Sequence, residues 1–316
     1  MNGRPVAPGG GRPAPPNPGR PWEIHAALDG AQVGFSLFPI LGKLVLTDFP
    51  PLLFAAFRAA SAAALLEAIR RAQRKREAVQ AADVPRLILY GLLGVSFNQI
   101  LFIKGLSLTT AINTAVLTAT IPVFTLAAAV LLGREAMRTR AAIGIALAGA
   151  GALALLNAQR FDWSSASFRG DLLLIANCIS YSLYLVLSRP VLARYHFVTF
   201  TAAVFRYGAI LIVLLALPEL SRFEPSRVTA LGWASLAGVI LLCTVIPYLL
   251  NSWALARTHA SHVAFYVFLQ PLIATVLAIP ILGEELTAKT ALAALLIFAG
   301  LGVAVARGRL SARPVP

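Results

Sequence analysis

Charged side chains are scarce in this chain of 316 residues: Asp, Glu, Lys and Arg make up 13%, whereas hydrophobic residues make up 58%. A soluble domain carries about 25% charged and about 45–50% apolar residues, so this composition argues against an ordinary soluble enzyme. The 27 basic residues exceed the 13 acidic ones and leave a net charge of +14, which taken alone suggests nucleic-acid binding. A basic surface of that kind needs a soluble body, which this composition does not provide. We therefore predict a membrane protein with no nucleic-acid partner.

Cysteine and the short motifs of catalysis are also scarce or missing. Cys178 and Cys243 lie in apolar runs without a CxxC spacing, so the sequence implies neither a disulfide nor a zinc site, and both are predicted to be small buried hydrophobes. The sequence holds no Walker A motif, no HExxH and no GxSxG, so neither an ATP-driven motor nor a hydrolase is indicated. His259 and His262 form an HxxH pair with too few further ligands nearby for a metal ion. No cofactor and no metal are expected.

Proline and glycine dominate residues 1–22, which hold seven and five of them, respectively. Such a composition supports neither a helix nor an apolar core, so it predicts a disordered tail. No apolar run precedes residue 26, and no cleaved secretory signal is expected.

Long apolar segments recur after this tail. Each spans about 17–22 residues, which is enough to cross a ~30 Å hydrocarbon layer as a helix. The sequence therefore predicts an all-α, polytopic membrane protein with ten transmembrane helices. They are placed at 26–46, 50–69, 86–103, 111–132, 141–157, 171–188, 197–218, 231–250, 262–282 and 288–306.

Basic residues are distributed unevenly over the two ends of these helices. The N-terminal tail, the even-numbered connections and the C-terminus hold 18 of them, and the opposite side holds seven. Because Lys and Arg in short loops resist translocation, both termini are predicted to be cytoplasmic. The basic run from Arg70 to Arg76 can also contact anionic headgroups, so membrane lipid is an expected partner.

The sequence repeats itself weakly with a period near 150 residues. The segment LGRE at 132–135 returns as LGEE at 282–285, and Pro122 returns as Pro271. Each repeat holds five predicted spans. Because five is an odd number, the second half must cross the membrane upside down relative to the first, as in many secondary transporters.

These features together resemble the drug/metabolite transporter superfamily, EamA family. The resemblance rests on the two five-helix halves, on Pro50-Pro51-Leu52 leading to Arg58, on Leu-Gly-x-Glu closing helices 4 and 9, and on Gly170-Asp171 opening helix 6. It covers about residues 24–306. It implies a carrier of the plasma (inner) membrane, often an exporter of amino acids or other small metabolites, with a central cavity lined by helices 1, 3, 4, 6, 8 and 9.

The resemblance also implies a division of the chain. It gives a cytoplasmic tail at 1–22, a first five-helix repeat at 24–157, a second at 169–306 and a cytoplasmic tail at 307–316. Helices 5 and 10 carry glycines that can bring them close to a neighbour, so a homodimer is an assembly that the sequence allows without proving it. These glycines are Gly144, Gly149, Gly151, Gly300 and Gly302.

Polar side chains at lipid depth are costly, so they face the helix bundle or a water-filled cavity. They recur at spacings of three or four residues, which places them on single helical faces. The predicted substrate-pathway residues are Gln32, Ser36, Pro39, Asn98, Gln99, Thr114, Thr118, Asn177, Tyr181, Tyr184, Tyr248, Asn251, Tyr266 and Gln270. The alternative for each face is hydrogen bonding between helices without any contact to a substrate.

Arg58 and Arg206 are basic residues within predicted spans 2 and 7, where the positive-inside rule does not explain them. They stand at equivalent positions of the two halves, in the triplets AFR and VFR. Either they bind an anion or they pair structurally with backbone carbonyls, and the sequence leaves both interpretations open. Asp29 is the candidate coupling residue, but Asn177 stands at its equivalent position, which weakens the case for proton coupling.

We predict a secondary transporter, not an enzyme, that exports a small polar or amphipathic metabolite such as an amino acid by alternating access. One alternative is an exchanger of phosphorylated metabolites or nucleotide sugars, which requires Arg58 and Arg206 to face the cavity. An alternative of another class is a non-transporting membrane scaffold or sensor, which requires that no accessible cavity exists.

Overall fold

The computed structural model describes residues 20–73, 77–134, 139–156 and 165–305. The predicted tails lie almost entirely outside these residues. Ten helical segments and a short 3₁₀ turn at Pro225–Arg227, with no strand, make up the regular structure of the described part. The ten segments are α1 (Pro21–Val45), α2 (Pro51–Ala72), α3 (Ala81–Leu108), α4 (Ala111–Leu131), α5 (Thr139–Leu156), α6 (Ala166–Leu192), α7 (Phe197–Leu220), α8 (Ala230–Leu255), α9 (Ala260–Leu282) and α10 (Ala288–Val305).

Eight of the ten described segments are long and apolar enough to cross a membrane. The other two, α5 and α10, contain shorter apolar stretches, Ala142–Ala154 and Ala288–Gly300. The all-α polytopic fold is thereby confirmed, whereas a crossing by each of the ten segments stays a prediction. Both α3 and α6 extend about five residues beyond the predicted bounds at each end, because the prediction followed only their apolar parts and the helices continue into polar flanks.

Local sequence explains where several helices begin and end. Pro51 stands in the first turn of α2, where its missing N–H costs nothing. Thr110 and Thr229 cap α4 and α8, since each hydroxyl accepts a hydrogen bond from the amide three residues on, at 3.0 Å. Gly133 and Gly283 follow α4 and α9 with φ of 66° and 65°, a left-handed conformation that favours glycine. The Leu-Gly of both repeated segments therefore ends a helix in the same way.

Equivalent helices of the two halves pack in equivalent ways. Helix α1 packs against α8 and α9, and α6 packs against α3 and α4; α2 packs against α7, and α5 against α10. Exchanging the two halves converts each of these contacts into another member of the set, as an inverted repeat requires. In the α5–α10 contact, a Cβ on Gly300 would lie 2.6 Å from the carbonyl oxygen of Gly144. These glycines thus bring two helices of one chain together, and the homodimer stays a prediction.

The bundle has two ends, which we name by α1: the proximal face, where α1 begins, and the distal face, where it ends. On the distal face, the Glu284 carboxylate after α9 accepts hydrogen bonds from the start of α4, at Ala111. On the proximal face, Asp83 at the start of α3 pairs with Arg194 after α6, at 2.7 Å. These contacts show that successive helices alternate in direction. The proximal face is the one predicted to be cytoplasmic.

Helices α3 and α8 carry π-helical turns at equivalent positions, Leu92–Phe97 and Leu241–Val245. In each turn, a buried hydroxyl donates to the carbonyl five residues earlier: Ser96 to Gly91 at 3.4 Å and Thr244 to Val239 at 2.8 Å. Such bulges occur frequently at functional sites because they redirect side chains and free carbonyls. Here both turns lie next to the cavity described below.

Helices α4 and α9 are interrupted near their repeated prolines. Helix α4 is broken at residues 119–120, just before Pro122, and α9 passes through a 3₁₀ turn at Tyr266–Phe268, just before Pro271. Both repeated prolines thus follow an interruption of their helix rather than a simple bend. By contrast, α1 continues as one helix through Pro39.

Candidate central cavity

A cavity of about 50 Å³ lies between the two halves. Its walls come from α1, α2, α3 and α4 of the first half and from α6, α8 and α9 of the second. The polar lining residues are Arg58, Asn98, Thr118, Asn177, Tyr181, Tyr248 and Gln270, and the apolar ones are Phe35, Phe38, Phe102 and Ile121. The lining contains the six helices that the family resemblance implied, and α2 joins them only through Arg58.

Asn98 connects three of these helices. Its backbone carbonyl accepts a hydrogen bond from Asn177 Nδ2 at 2.7 Å, and its Oδ1 accepts one from the Tyr248 hydroxyl at 3.3 Å. The same hydroxyl lies 3.2 Å from the carbonyl oxygen of Gly94, inside the π-helical turn of α3. The turn thus places a backbone acceptor and an amide side chain against residues of the second half.

Gln270 makes the corresponding connection between α9 and the first half. Its Nε2 donates to Gln32 Oε1 at 2.7 Å, and its Oε1 lies 3.4 Å from Thr118 Oγ1. Ser36 donates to the Gln32 carbonyl at 2.6 Å, within α1. Gln32 and Ser36 are fully buried beside the cavity but are not among its lining residues, so their place in a substrate pathway stays a prediction.

Arg58 is the charged member of the lining. Its side chain is 2% exposed, its guanidinium carbon lies 3.8 Å from the centre of the Phe38 ring, and its Nε donates to Thr244 Oγ1 at 2.7 Å. Its Nη1 is buried and has no hydrogen-bond partner within the described residues. The arginine therefore lies between α1 and the π-helical turn of α8, with hydrogen-bonding capacity left over.

Arg206 lies elsewhere, although it is the counterpart of Arg58. Its side chain is exposed and contacts its neighbour Tyr207, whose hydroxyl lies 3.4 Å from Nη2. It borders a separate groove of about 360 Å³ near the proximal ends of α2, α3 and α7, together with Glu67, Arg70 and Thr199. The structure therefore separates the two arginines that the sequence could not distinguish.

Four predicted residues are buried near the cavity but do not line it. Asn251 donates to the Tyr181 hydroxyl at 3.2 Å, and Thr114 donates to a carbonyl of its own helix at 2.8 Å. Tyr184 packs on Gly94, where a Cβ would lie 2.6 Å from its ring. Gln99 has no hydrogen-bond partner for either amide atom among the described residues. For Asn251, Thr114 and Tyr184, these contacts match the packing alternative.

Two further predicted residues lie toward the proximal face. Tyr266 bonds to His25 Nδ1 through its hydroxyl, which connects α9 to the start of α1. Asp29, the candidate coupling residue, is exposed and lies near Tyr266. Neither residue reaches the central cavity.

Sequence reasoning missed the apolar wall and one carboxylate. Phe35, Phe38 and Phe102 were not singled out because aromatic residues are common throughout membrane helices. Glu284 was passed over as the variable position of Leu-Gly-x-Glu, yet its Oε1 and Oε2 accept hydrogen bonds from the amides of Ala111 and Ile112 at 2.7 and 2.9 Å. The duplicated segment was the signal that could have identified it.

Comparison with known proteins agrees with this architecture. The EamA-like transporter family matches residues 27–157 and 168–306. An uncharacterized transporter of Archaeoglobus fulgidus is 28% identical over 269 residues, which cover 84% of this chain and 91% of that protein. The uncharacterized transporter YetK of Bacillus subtilis is 26% identical over 80% of this chain and 77% of its own length. Protein WALLS ARE THIN 1 of Arabidopsis thaliana is 25% identical, covering 88% and 81%.

A solved crystal structure has the same fold. It superimposes with a TM-score of 0.65, at 18% sequence identity, and covers 90% of this chain and 96% of that chain.

Proposed function

Because this chain belongs to the EamA-like transporter family and is a multi-pass membrane transporter rather than an enzyme, we propose that it exports a small polar or amphipathic metabolite, such as an amino acid, by alternating access. The main support for this proposal is the central cavity, to which both halves contribute polar side chains. Its location in an inner membrane, with cytoplasmic termini, is part of the proposal and is supported by the uneven distribution of basic residues.

The size of the cavity supports a carrier that changes shape. Small-molecule sites usually measure about 300–1,000 Å³, whereas this cavity measures about 50 Å³, room for only a few water molecules. A metabolite can therefore bind only after the helices separate. Because the walls belong to both halves, a movement of one half against the other would enlarge the cavity and change its access.

The distal face provides a contact that such a movement would break. The Glu284 carboxylate bridges the end of α9 to the first turn of α4, where the partial positive charge of a helix N-terminus favours an anion. The equivalent residue on the proximal face is Arg134, whose guanidinium cannot accept hydrogen bonds from amides. This particular contact therefore holds the halves together at the distal face and has no counterpart at Arg134 on the proximal one.

The phosphorylated-metabolite exchanger receives less support. That alternative needs both intramembrane arginines at the cavity, and only Arg58 lies there, while Arg206 borders the proximal groove. A phosphate dianion would then meet one guanidinium.

Reconstitution into liposomes tests the proposed function. We expect efflux of at least one loaded amino acid or small metabolite above protein-free vesicles. Replacing Gln270→Leu should lower that efflux at least tenfold, since it removes the connection to Gln32. The matched control is Leu272→Ala, which changes an exposed residue two positions along the same helix. Absence of efflux for every loaded solute would contradict the proposal.

Cysteine labelling separates a transporter from a scaffold or sensor. In a variant lacking Cys178 and Cys243, we expect a cysteine at Gln270 to react with a small water-soluble maleimide. A cysteine at Leu236, which is buried away from the lining, serves as the negative control. A cysteine at position 270 that stays unlabelled would favour the scaffold.

A further inference from the structure

Arg58 brings a positive charge to the cavity without a balancing carboxylate. None of the residues lining the cavity is acidic, and no ion pair of Arg58 occurs within the described residues. Guanidinium groups stay protonated in proteins, so the site carries its charge at any physiological pH. A buried charge without a partner is costly, which makes such a residue in a membrane helix a functional candidate.

The contacts of Arg58 orient its side chain and leave donors free. Phe38 stacks against the guanidinium, and Thr244 accepts the Nε hydrogen bond while its own hydroxyl donates to the Val239 carbonyl. These neutral groups fix the plane of the guanidinium and do not neutralise it. Nη1 remains without a protein acceptor among the described residues. A preorganised guanidinium with a free donor is suited to an incoming oxyanion.

We infer that Arg58 binds the carboxylate of the transported solute and that the site prefers a net-anionic, amphipathic organic acid. This inference rests on the proposed function and specifies its substrate class. Phe35 and Phe102 form an apolar wall beside the arginine, which suits the hydrocarbon part of such a molecule.

The other residues that line the cavity narrow the class of solute further. An ammonium group, whether of a zwitterion or of a cation, would find only neutral acceptors in the cavity, such as Asn98 Oδ1 and Gln270 Oε1. It would find no carboxylate. A cation would also be repelled by Arg58. The single guanidinium matches the single negative charge of a carboxylate better than the two charges of a phosphate monoester.

A binding experiment on the purified full-length protein in lipid nanodiscs tests this inference. The probes are three skeletons, propyl, hexyl and phenylpropyl, each supplied as carboxylate, amide and amine. We expect the wild type to bind at least one carboxylate about 10- to 100-fold more tightly than its amide, the range expected for hydrogen bonds to a charged group. Arg58→Gln should abolish that preference, whereas the counterpart change Arg206→Gln should leave it within about twofold.

A second variant keeps the test decisive if Arg58→Gln does not fold. Arg58→Lys retains the charge but not the planar pair of donors, so the preference for carboxylate should persist with weaker affinity. Elution profile and unfolding midpoint report folding. If Arg58 has only a structural role, Arg58→Gln should lower the unfolding midpoint. If its charge is unpaired, the same substitution should leave the midpoint unchanged or raise it.

Three results would overturn the inference: amides or amines bound as tightly as carboxylates, a carboxylate preference that survives in Arg58→Gln, or no carboxylate bound at millimolar concentration. Each of these leaves the proposed function intact as long as the liposome experiment shows efflux of some solute. Absence of all efflux in that experiment would instead remove the proposed function itself.

Discussion

Arg58 in the first half and Arg206 in the second occupy equivalent positions, in equivalent helices, after the same Phe. Arg58 is 2% exposed and lines the central cavity, whereas Arg206 is exposed and borders a groove near the proximal face. The backbones around the two residues are alike, since the partner helices α3 and α8 carry matching π-helical turns. The two helix pairs differ, however, in how closely they approach.

The contact between α3 and α7 is close at Gly208, two residues after Arg206. A Cβ on Gly208 would lie 2.6 Å from the Gly91 carbonyl oxygen and 2.5 Å from Val95 Cβ, so the two backbones meet there. Ser96 donates to the Gly208 carbonyl at 2.7 Å. In the equivalent contact between α2 and α8, the hydroxyl of Thr244 takes the place of Ser96, and it accepts a hydrogen bond from Arg58.

This comparison shows how an inverted repeat produces an asymmetric site. The repeated sequence maintains the helices, their bulges and their pairing, because these depend on patterns that both halves retain. Side-chain volume at a few contacts decides whether a charge points inward. Three substitutions test this asymmetry between the two halves and between the two faces.

The largest effect is expected at the close contact of the second half. Gly208→Val should destabilise the protein by about 3 kcal/mol, the upper end for overpacking, because the new side chain meets backbone atoms of α3. The matched control is Ala60→Val, at the equivalent exposed position of the first half, which should stay within about 0.5 kcal/mol. Unfolding in mixed micelles measures both. An equal loss of stability in the two variants would show that positions 60 and 208 are packed equally tightly.

A smaller effect is expected at the distal connection between the halves. Glu284→Ala should destabilise by about 1–2 kcal/mol, since two amides of the α4 N-terminus lose their acceptor. Glu285→Ala, one residue along and exposed, is the control. A cysteine at Asn113, in the first turn of α4, should also react faster with an impermeant label in Glu284→Ala. An unchanged labelling rate would contradict the role of Glu284 in holding the distal face together.

The smallest effect on stability is expected at two residues in equivalent loops, Asp48 on the distal face and His196 on the proximal one. Hydrogen bonds from Thr229 hold the pKa of Asp48 below its usual range. Partial burial lowers the pKa of His196, against the opposing effect of Glu77. Neutral His196 accepts a hydrogen bond through Nδ1 from the Val198 amide, at 3.4 Å, which protonation removes.

These shifts give the two connections different pH windows. The folded pKa of His196 lies below its unfolded value of 6.5, so its contribution to stability is complete above that pH and declines below it. Asp48 loses its contribution only below its unfolded value of 3.8. Between pH 7.5 and 5.5 we expect His196→Gln to lower the pH dependence of the unfolding midpoint by about 1–2 °C. Asp48→Asn should leave that dependence unchanged.

The helices and their general polarity could be predicted from the sequence, but the membership of the cavity could be predicted only in part. Asn177, Tyr181 and Tyr184 share one helical face by their spacing, and the first two line the cavity while Tyr184 packs on Gly94. Helical periodicity specifies which residues share a face. It does not specify which neighbouring helix, or which gap between helices, that face meets. The adjacent Asn98 and Gln99 point about 100° apart on their helix, and only Asn98 lines the cavity.

A polytopic helical membrane protein built from two inverted halves could be predicted from the amino-acid sequence, because apolar length, basic-residue distribution and internal repetition can all be read along the chain. That Arg58, and not Arg206, brings its charge to the central cavity became evident only from the packing of the helices. The similar triplets AFR and VFR carry no information about the distance to the next helix. That distance depends on a glycine contact between residues more than a hundred positions apart, and it becomes defined only when the helices pack.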